Sequence, residues 1–232
     1  IKKETVIDSV KTNKFNNLFL DEEPKEKPVL YLSGNILVDD NLVVNKKAII
    51  EPGTIFSIMP NKSIIFKKQV ICKGTLGKPI VFKKFMDDKK EKVAPWGTVA
   101  LIGKNTKGSV FDFTHFEGGS GGRFNQFLFT SMFSIHETLD VEINNSLFSS
   151  NEIYDDTIHI VYAKNISLKN TKILKAYRDA IDIDLSKNIL IENIEINFSN
   201  NDGLDFMESE AEVINVEIKN SKDMIKAAHI LL

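Results

Sequence analysis

One cysteine, one tryptophan and six prolines in 232 residues already exclude a good deal. Cys72 alone can form neither an internal disulfide framework nor a multi-cysteine zinc site. Lying in a short apolar run, it reads as a buried, inert thiol rather than a nucleophile. No apolar run approaches the roughly 18 residues that cross a bilayer, so no membrane span is expected. Thirty basic against 32 acidic residues leave a net charge of -2. A chain so balanced has no general attraction for nucleic acid. The sequence opens at Ile1 with no legible export signal, from which no compartment follows. Hydrophobic residues are 42%, enough for one sizeable core or two small ones.

A repeat fills the second half of the chain. Asp156, Asp179 and Asp202 are spaced 23 residues apart and open similar segments: Asp156-Thr157-Ile158-His159-Ile160, Asp179-Ala180-Ile181-Asp182-Ile183 and Asp202-Gly203-Leu204-Asp205-Phe206. Asn145, Asn170, Asn193 and Asn215 follow at steps of 25, 23 and 22, each inside an alternating run (141–148, 166–173, 189–196, 213–218). Apolar residues alternating with Lys, Glu, Ser or Asn are the period-2 mark of a half-buried strand. Two such strands per repeat, with Asn, Asp, Ser and Gly between them, predict an all-β parallel solenoid. One coil cannot bury its inward Ile, Leu and Phe alone, whereas stacked coils make a continuous apolar cylinder. Stacking sets equivalent residues about 4.8 Å apart. The four asparagines then form a ladder of amide hydrogen bonds, a structural role.

Short strands at 35–38, 41–44, 49–50, 54–58, 64–66, 70–72 and 80–82 extend the pattern towards the N-terminus, with 96–101 and 110–116 continuing it. Turn chemistry such as Glu51-Pro52-Gly53-Thr54 and Gly77-Lys78-Pro79 separates them. The expected organisation is a cap and connector over 1–30, a solenoid over 31–223 and an irregular tail over 224–232. The tail's apolar, helix-compatible residues read as a cap on the cylinder or as the repeat cut short. Residues 86–95 and Gly118-Gly119-Ser120-Gly121-Gly122-Arg123 read as loops, the second lacking the strand-to-helix context of a phosphate cradle.

The segment 35–82, with Glu51-Pro52-Gly53-Thr54 and Gly74-Thr75-Leu76-Gly77-Lys78-Pro79-Ile80, resembles the entry coils of right-handed parallel β-helix proteins of the pectin-lyase-like superfamily. Asp179-Ala180-Ile181-Asp182-Ile183-Asp184 and Asn201-Asp202-Gly203-Leu204-Asp205-Phe206 resemble the β-helix regions of bacterial proteins that often accompany spore-coat kinase-like (CotH-type) domains. The likeness covers roughly residues 30–223. It implies the fold, an exported or cell-surface location and polymers as ligands. Tyr154-Asp155-Asp156-Thr157-Ile158 faintly resembles the Gly-Asp-Asp segment of polygalacturonases, but neither a Gly-His-Gly nor an Arg-Ile-Lys segment follows.

With Ile158, Ile160, Ile181, Ile183, Leu204 and Phe206 inward, strand parity turns His159, Asp182 and Asp205 outward. Counting back 23 from His159 adds His136 to that column. Asp156, Asp179 and Asp202 form a second column at a turn. Two bare carboxylates about 5 Å apart repel by roughly 3 kcal/mol at an effective dielectric near 20. Three arrangements relieve this: Asx-turns accepting backbone N–H groups, shared protons or pairing with Arg178 and Lys175, or a bound cation or substrate. Calcium suits Asp156, Asp179 and Asp202 as an oxygen cluster. Zinc on His136, His159 and Asp182 is the other option, with poor tetrahedral geometry on a flat face. As catalysts, Asp156 or Asp179 would serve as acid and Asp202 as base or nucleophile. Lys175, Arg178, His136 and His159 could neutralise a uronate or act as base, and exposed Tyr154, Tyr162 and Tyr177 could carry sugars. His115 is expected at the asparagine-ladder position. Three readings stay open: a polysaccharide-binding module using the Asp/His face, an enzyme acting on uronates, and a structural or vestigial domain.

Overall fold

A computed structural model of the chain describes residues 28–87 and 93–228. The expected cap lies outside them apart from residues 28–30, and Leu30 already belongs to the first strand. The backbone winds into a parallel β-solenoid of about eight turns. The first turn holds β1 (Leu30–Leu32), β2 (Asn35–Val38) and β3 (Leu42–Val44), and the second β4 (Ala48–Ile50), β5 (Ile55–Ile58) and β6 (Ile64–Phe66). The third holds β7 (Val70–Lys73), β8 (Ile80–Lys84) and β9 (Val99–Ile102). In the fourth, β10 (Val110–Asp112) and β11 (Thr114–Glu117) precede an antiparallel hairpin, β12 (Gly122–Phe124) with β13 (Phe127–Phe129), and then β14 (Ser131–His136). β15 (Leu139–Asn144), β16 (Leu147–Ser149) and β17 (Asp156–Val161) make the fifth. β18 (Lys164–Ile173) and β19 (Ile181–Asp184) make the sixth. β20 (Lys187–Met207) and β21 (Ala211–Ala228) each carry a whole turn.

Each turn has three faces, not the two strands read from the sequence. β18 supplies two of them, pairing with β15 through its first half and with β16 through its second. The bend is at Asn170, with φ 47°. It resets the alternation: Ile166 and Leu168 face inward before it, Thr171 and Ile173 after it. Asn145, Asn193 and Asn215 make the same bend at φ 47°, 56° and 51°. Asparagine tolerates this left-handed region better than most L-residues. The expected ladder forms over three of the four asparagines, Asn193 donating to Asn170 at 3.1 Å and Asn215 to Asn193 at 2.7 Å, while Asn145 stands outside it and donates to Asp112 at 2.9 Å. Asn170 donates one residue aside, to Asn144. A parallel ladder joins Asn188, Asn165 and Asp140. His115 is not part of it. Phe113 takes the bend, and His115 lies within β11 opposite Leu147.

The core is a cylinder of stacked side chains. Phe56, Phe82, Phe116 and Phe148 lie on successive turns with ring centroids 4.6, 4.9 and 4.7 Å apart and planes within 6°. That spacing is the strand spacing itself, so the backbone repeat sets the stack. Cys72 is fully buried beside it, and burial pushes its thiol well up.

The reading of 224–232 as irregular gives way as far as Ala228. β21 stays extended there and pairs with β20, because an open parallel edge supplies hydrogen-bond partners for one more strand. The glycine-rich segment is likewise built rather than loose. A side chain at Gly119 would strike the ring of Trp96 at 2.5 Å, and Gly121 holds φ 97°. Ser120 Oγ donates to the buried Asn151 at 2.6 Å and accepts from the backbone of Ile153 and Tyr154. The segment thereby aims the hairpin across an outer face, where Phe129 covers Ile65 and Ala100.

Candidate functional site

The outer face made by β14, β17, β19, β20 and β21 collects the titratable residues. Pairing in register runs Ser134, His159, Asp182, Asp205, Lys226 in one column and His136, Val161, Asp184, Met207 in the next. His136 therefore belongs two residues away from its expected place. The winding from Ser134 to His159 takes 25 residues, not 23, because the connection between Phe148 and Ile158 is two residues longer than that between Ile173 and Ile181. Parity survives an even shift, so His136 still points outward. Its ring meets that of His159 edge to face at 5.4 Å and that of Phe129 at 5.3 Å. The hairpin thus walls one end of the cluster.

Asp156, Asp179 and Asp202 do stack at one turn. The backbone N–H of Thr157 donates to the Asp179 carbonyl and that of Ala180 to the Asp202 carbonyl, the parallel pairing that keeps the three aspartates in register. Ser131 precedes Asp156 in it and Asp223 follows Asp202. The crowding is relieved differently at each level. Asp156 is 2% exposed and accepts a hydrogen bond from Thr130 Oγ1 at 2.9 Å. Burial, reinforced by the nearby charge of Asp182, pushes its carboxyl up to about 8. Asp179 accepts from the backbone of Asp202 at 2.7 Å and from Asn201 Nδ2 at 2.8 Å, both donors lying on the next turn rather than in a local Asx-turn. Asn201 also reaches Asp202 at 2.9 Å. Burial still raises both carboxyls above their ordinary range. Asp205 is answered by Lys226 at 2.6 Å.

His159 sits where the two columns meet. Its Nε2 is 3.4 Å from Asp184 and 3.9 Å from Asp182, and Nδ1 is 3.5 Å from Thr130 Oγ1. Burial disfavours the imidazolium, but the carboxylates of Asp184, Asp182 and Asp156 outweigh it, so the histidine is held above its usual range. Burial, with crowding from Asp184 and Asp205, lifts Asp182. His136 goes the other way, to about 4, through burial and then the charge of His159. Among the described residues, three groups bring ligand atoms within 4.8 Å of one another: His159 with Asp182 and Asp184, Asp155 with Asp156 and Asp179, and Asp179 with Asp202 and Asp205.

The remaining expected residues lie beside the column. Arg178 pairs with Asp155 at 3.5 Å rather than with the stacked aspartates. Lys175 forms no ion pair among the described residues and lines a cleft of about 720 Å³ with Glu152, Ile153, Tyr177 and Asn200. A second cleft of about 430 Å³ lies between Tyr177, Arg178, Asn200, Asn201 and Lys222. Tyr154 is one turn before Tyr177 at the equivalent position, since Arg178 and Asp179 both donate to the carbonyl of Asp155. Sequence reasoning missed Asp184, whose outward parity two residues past Asp182 was available to find it. Thr130 and Phe129 carried no such signal, because the hairpin interrupts the repeat.

No protein-family model matches the chain, and no curated protein is significantly similar to it. Among the described residues no helix is long and apolar enough to cross a membrane.

Proposed function

We propose that this solenoid is of the pectin-lyase-like kind and binds an anionic polysaccharide at the cell surface or outside it. The observation that carries the reading is Tyr177, 43% exposed and lining both clefts. Tyr154 repeats it one turn earlier at 36% exposure. A phenol ring presents an apolar face to a sugar ring and a hydroxyl to its oxygens. Lys175, Arg178 and Lys222 line the same clefts and answer a sugar carboxylate. Asn200, which donates to the Tyr177 carbonyl at 2.8 Å, can offer its side-chain carbonyl oxygen to hydroxyl groups.

Calorimetry with polygalacturonate and a neutral glucan tests this. The acidic polymer is expected to bind with salt-sensitive affinity, and Tyr177→Ala to weaken it about tenfold, or ~1.4 kcal/mol. Equal affinity for the neutral polymer, or a silent Tyr177→Ala, removes the reading.

A second reading, acid–base catalysis on the bound chain, is favoured by Asp156, a carboxyl kept protonated near neutral pH. New reducing ends or unsaturated products from the acidic polymer, absent with Asp156→Asn, would select it.

A further inference from the structure

We propose that His159, Asp182 and Asp184 form a binding site for a divalent transition-metal ion of the zinc class. The distances accommodate a shared ion. His159 Nε2 lies 3.4 Å from Asp184 Oδ2 and 3.9 Å from Asp182 Oδ2, outside the 2.7–3.2 Å of a good N–H···O bond. Two ligands bonded to one ion at ~2.1 Å and set ~109° apart are ~3.4 Å from each other. The ligand atoms of all three residues fall within 4.8 Å of one another.

The fold also resolves the objection that a flat face gives poor tetrahedral geometry. Asp182 stands directly opposite His159, whereas Asp184 stands two residues along β19 in the next column, so donors converge diagonally. His159 is oriented as a ligand should be. Its Nε2 is the ring nitrogen turned towards Asp184 and Asp182, while Nδ1 faces Thr130 Oγ1 at 3.5 Å, whose hydroxyl is committed to Asp156 at 2.9 Å. His136 stands beside the group, its buried Nε2 without a hydrogen-bond partner among the described residues and its ring edge to face with that of His159 at 5.4 Å. The three side chains are 16%, 20% and 19% exposed, buried enough to hold an ion and open enough to admit one.

An imidazole nitrogen selects zinc-class ions over calcium, which takes oxygen ligands. The two all-aspartate groups carry no such proposal. Asp179, common to both, is already engaged by Asp202 and Asn201, and Asp205 by Lys226.

Zinc chloride titrated into the chain at pH 7, by calorimetry with parallel melting curves, decides the matter. One saturable equivalent and a melting temperature that climbs with zinc but not with calcium are expected. His159→Ala should abolish binding and Asp184→Asn weaken it at least tenfold, while Asp202→Asn and Tyr177→Ala leave it intact. The last variant separates this site from the glycan clefts. Cobalt(II) needs no variant: intense visible bands from a low-coordinate site with nitrogen are expected of the unaltered protein. Absence of saturable zinc binding below millimolar, undiminished binding in His159→Ala, or a weak octahedral cobalt spectrum overturns the proposal.

Discussion

Asp156 illustrates how burial and neighbours set the behaviour of a single residue. Its ordinary value of 3.8 rises to about 8 in the folded chain, facing Thr130, Asp155, His159 and Asp182. The folded state therefore holds a proton that the unfolded chain releases from about pH 4 upward. Stability contributed by this proton is complete below the unfolded value and is lost as pH rises towards 8, at most about 1.4 kcal/mol per pH unit for one group. His159 and Asp182, also raised, act in the same direction. Urea unfolding of the metal-free protein between pH 5 and 9 should show this fall, and Asp156→Asn should flatten it. A profile left as steep by the substitution would contradict the account. The outward placement of His159, Asp182 and Asp205 was readable from alternation alone. The partnership of Asp156 with Thr130 was not, because Thr130 ends a hairpin outside the repeat.

Bends between faces depend on both backbone conformation and side-chain hydrogen bonds, and Asn193 allows the two to be separated. It holds φ 56°, donates to Asn170 and accepts from Asn215. Asn193→Gly keeps the conformation and loses the ladder, whereas Asn193→Ala loses both. The expected destabilisation is about 1 kcal/mol for Gly and about 2 kcal/mol for Ala, measured by denaturant unfolding. Equal values would assign the whole effect to the ladder. The asparagine positions were legible as a period in the sequence, but the third face was not. Residues 166–173 read as one alternating run, since a left-handed residue resets parity without leaving a hydrophobic gap.

Across the whole molecule, the turns are held together by side chains shared from one to the next. Phe116 stacks on Phe82 and Phe148 and also meets Phe111 and Phe133. Phe116→Ala should cost about 3–5 kcal/mol. Its neighbour His115, pointing outward from the same strand, should tolerate alanine within about 0.5 kcal/mol. Thermal or chemical unfolding of the two variants checks the contrast, and a similar loss in both would mean that the stack does not bind the turns.

Alternation and a period of 22 to 25 residues are written into the second half of the chain, so the parallel solenoid, the outward placement of its Asp/His face and the asparagine ladder followed from the order of the residues. Which side chains meet across turns was a matter for the folded chain. Two additional residues in one connection moved Ser134 opposite His159 and His136 to its diagonal without disturbing either strand's alternation. The hairpin that brings Phe129 onto the same face obeys no repeat at all. Periodicity is local and survives such insertions, whereas register sums every residue between two positions and is decided only when the turns close on one another.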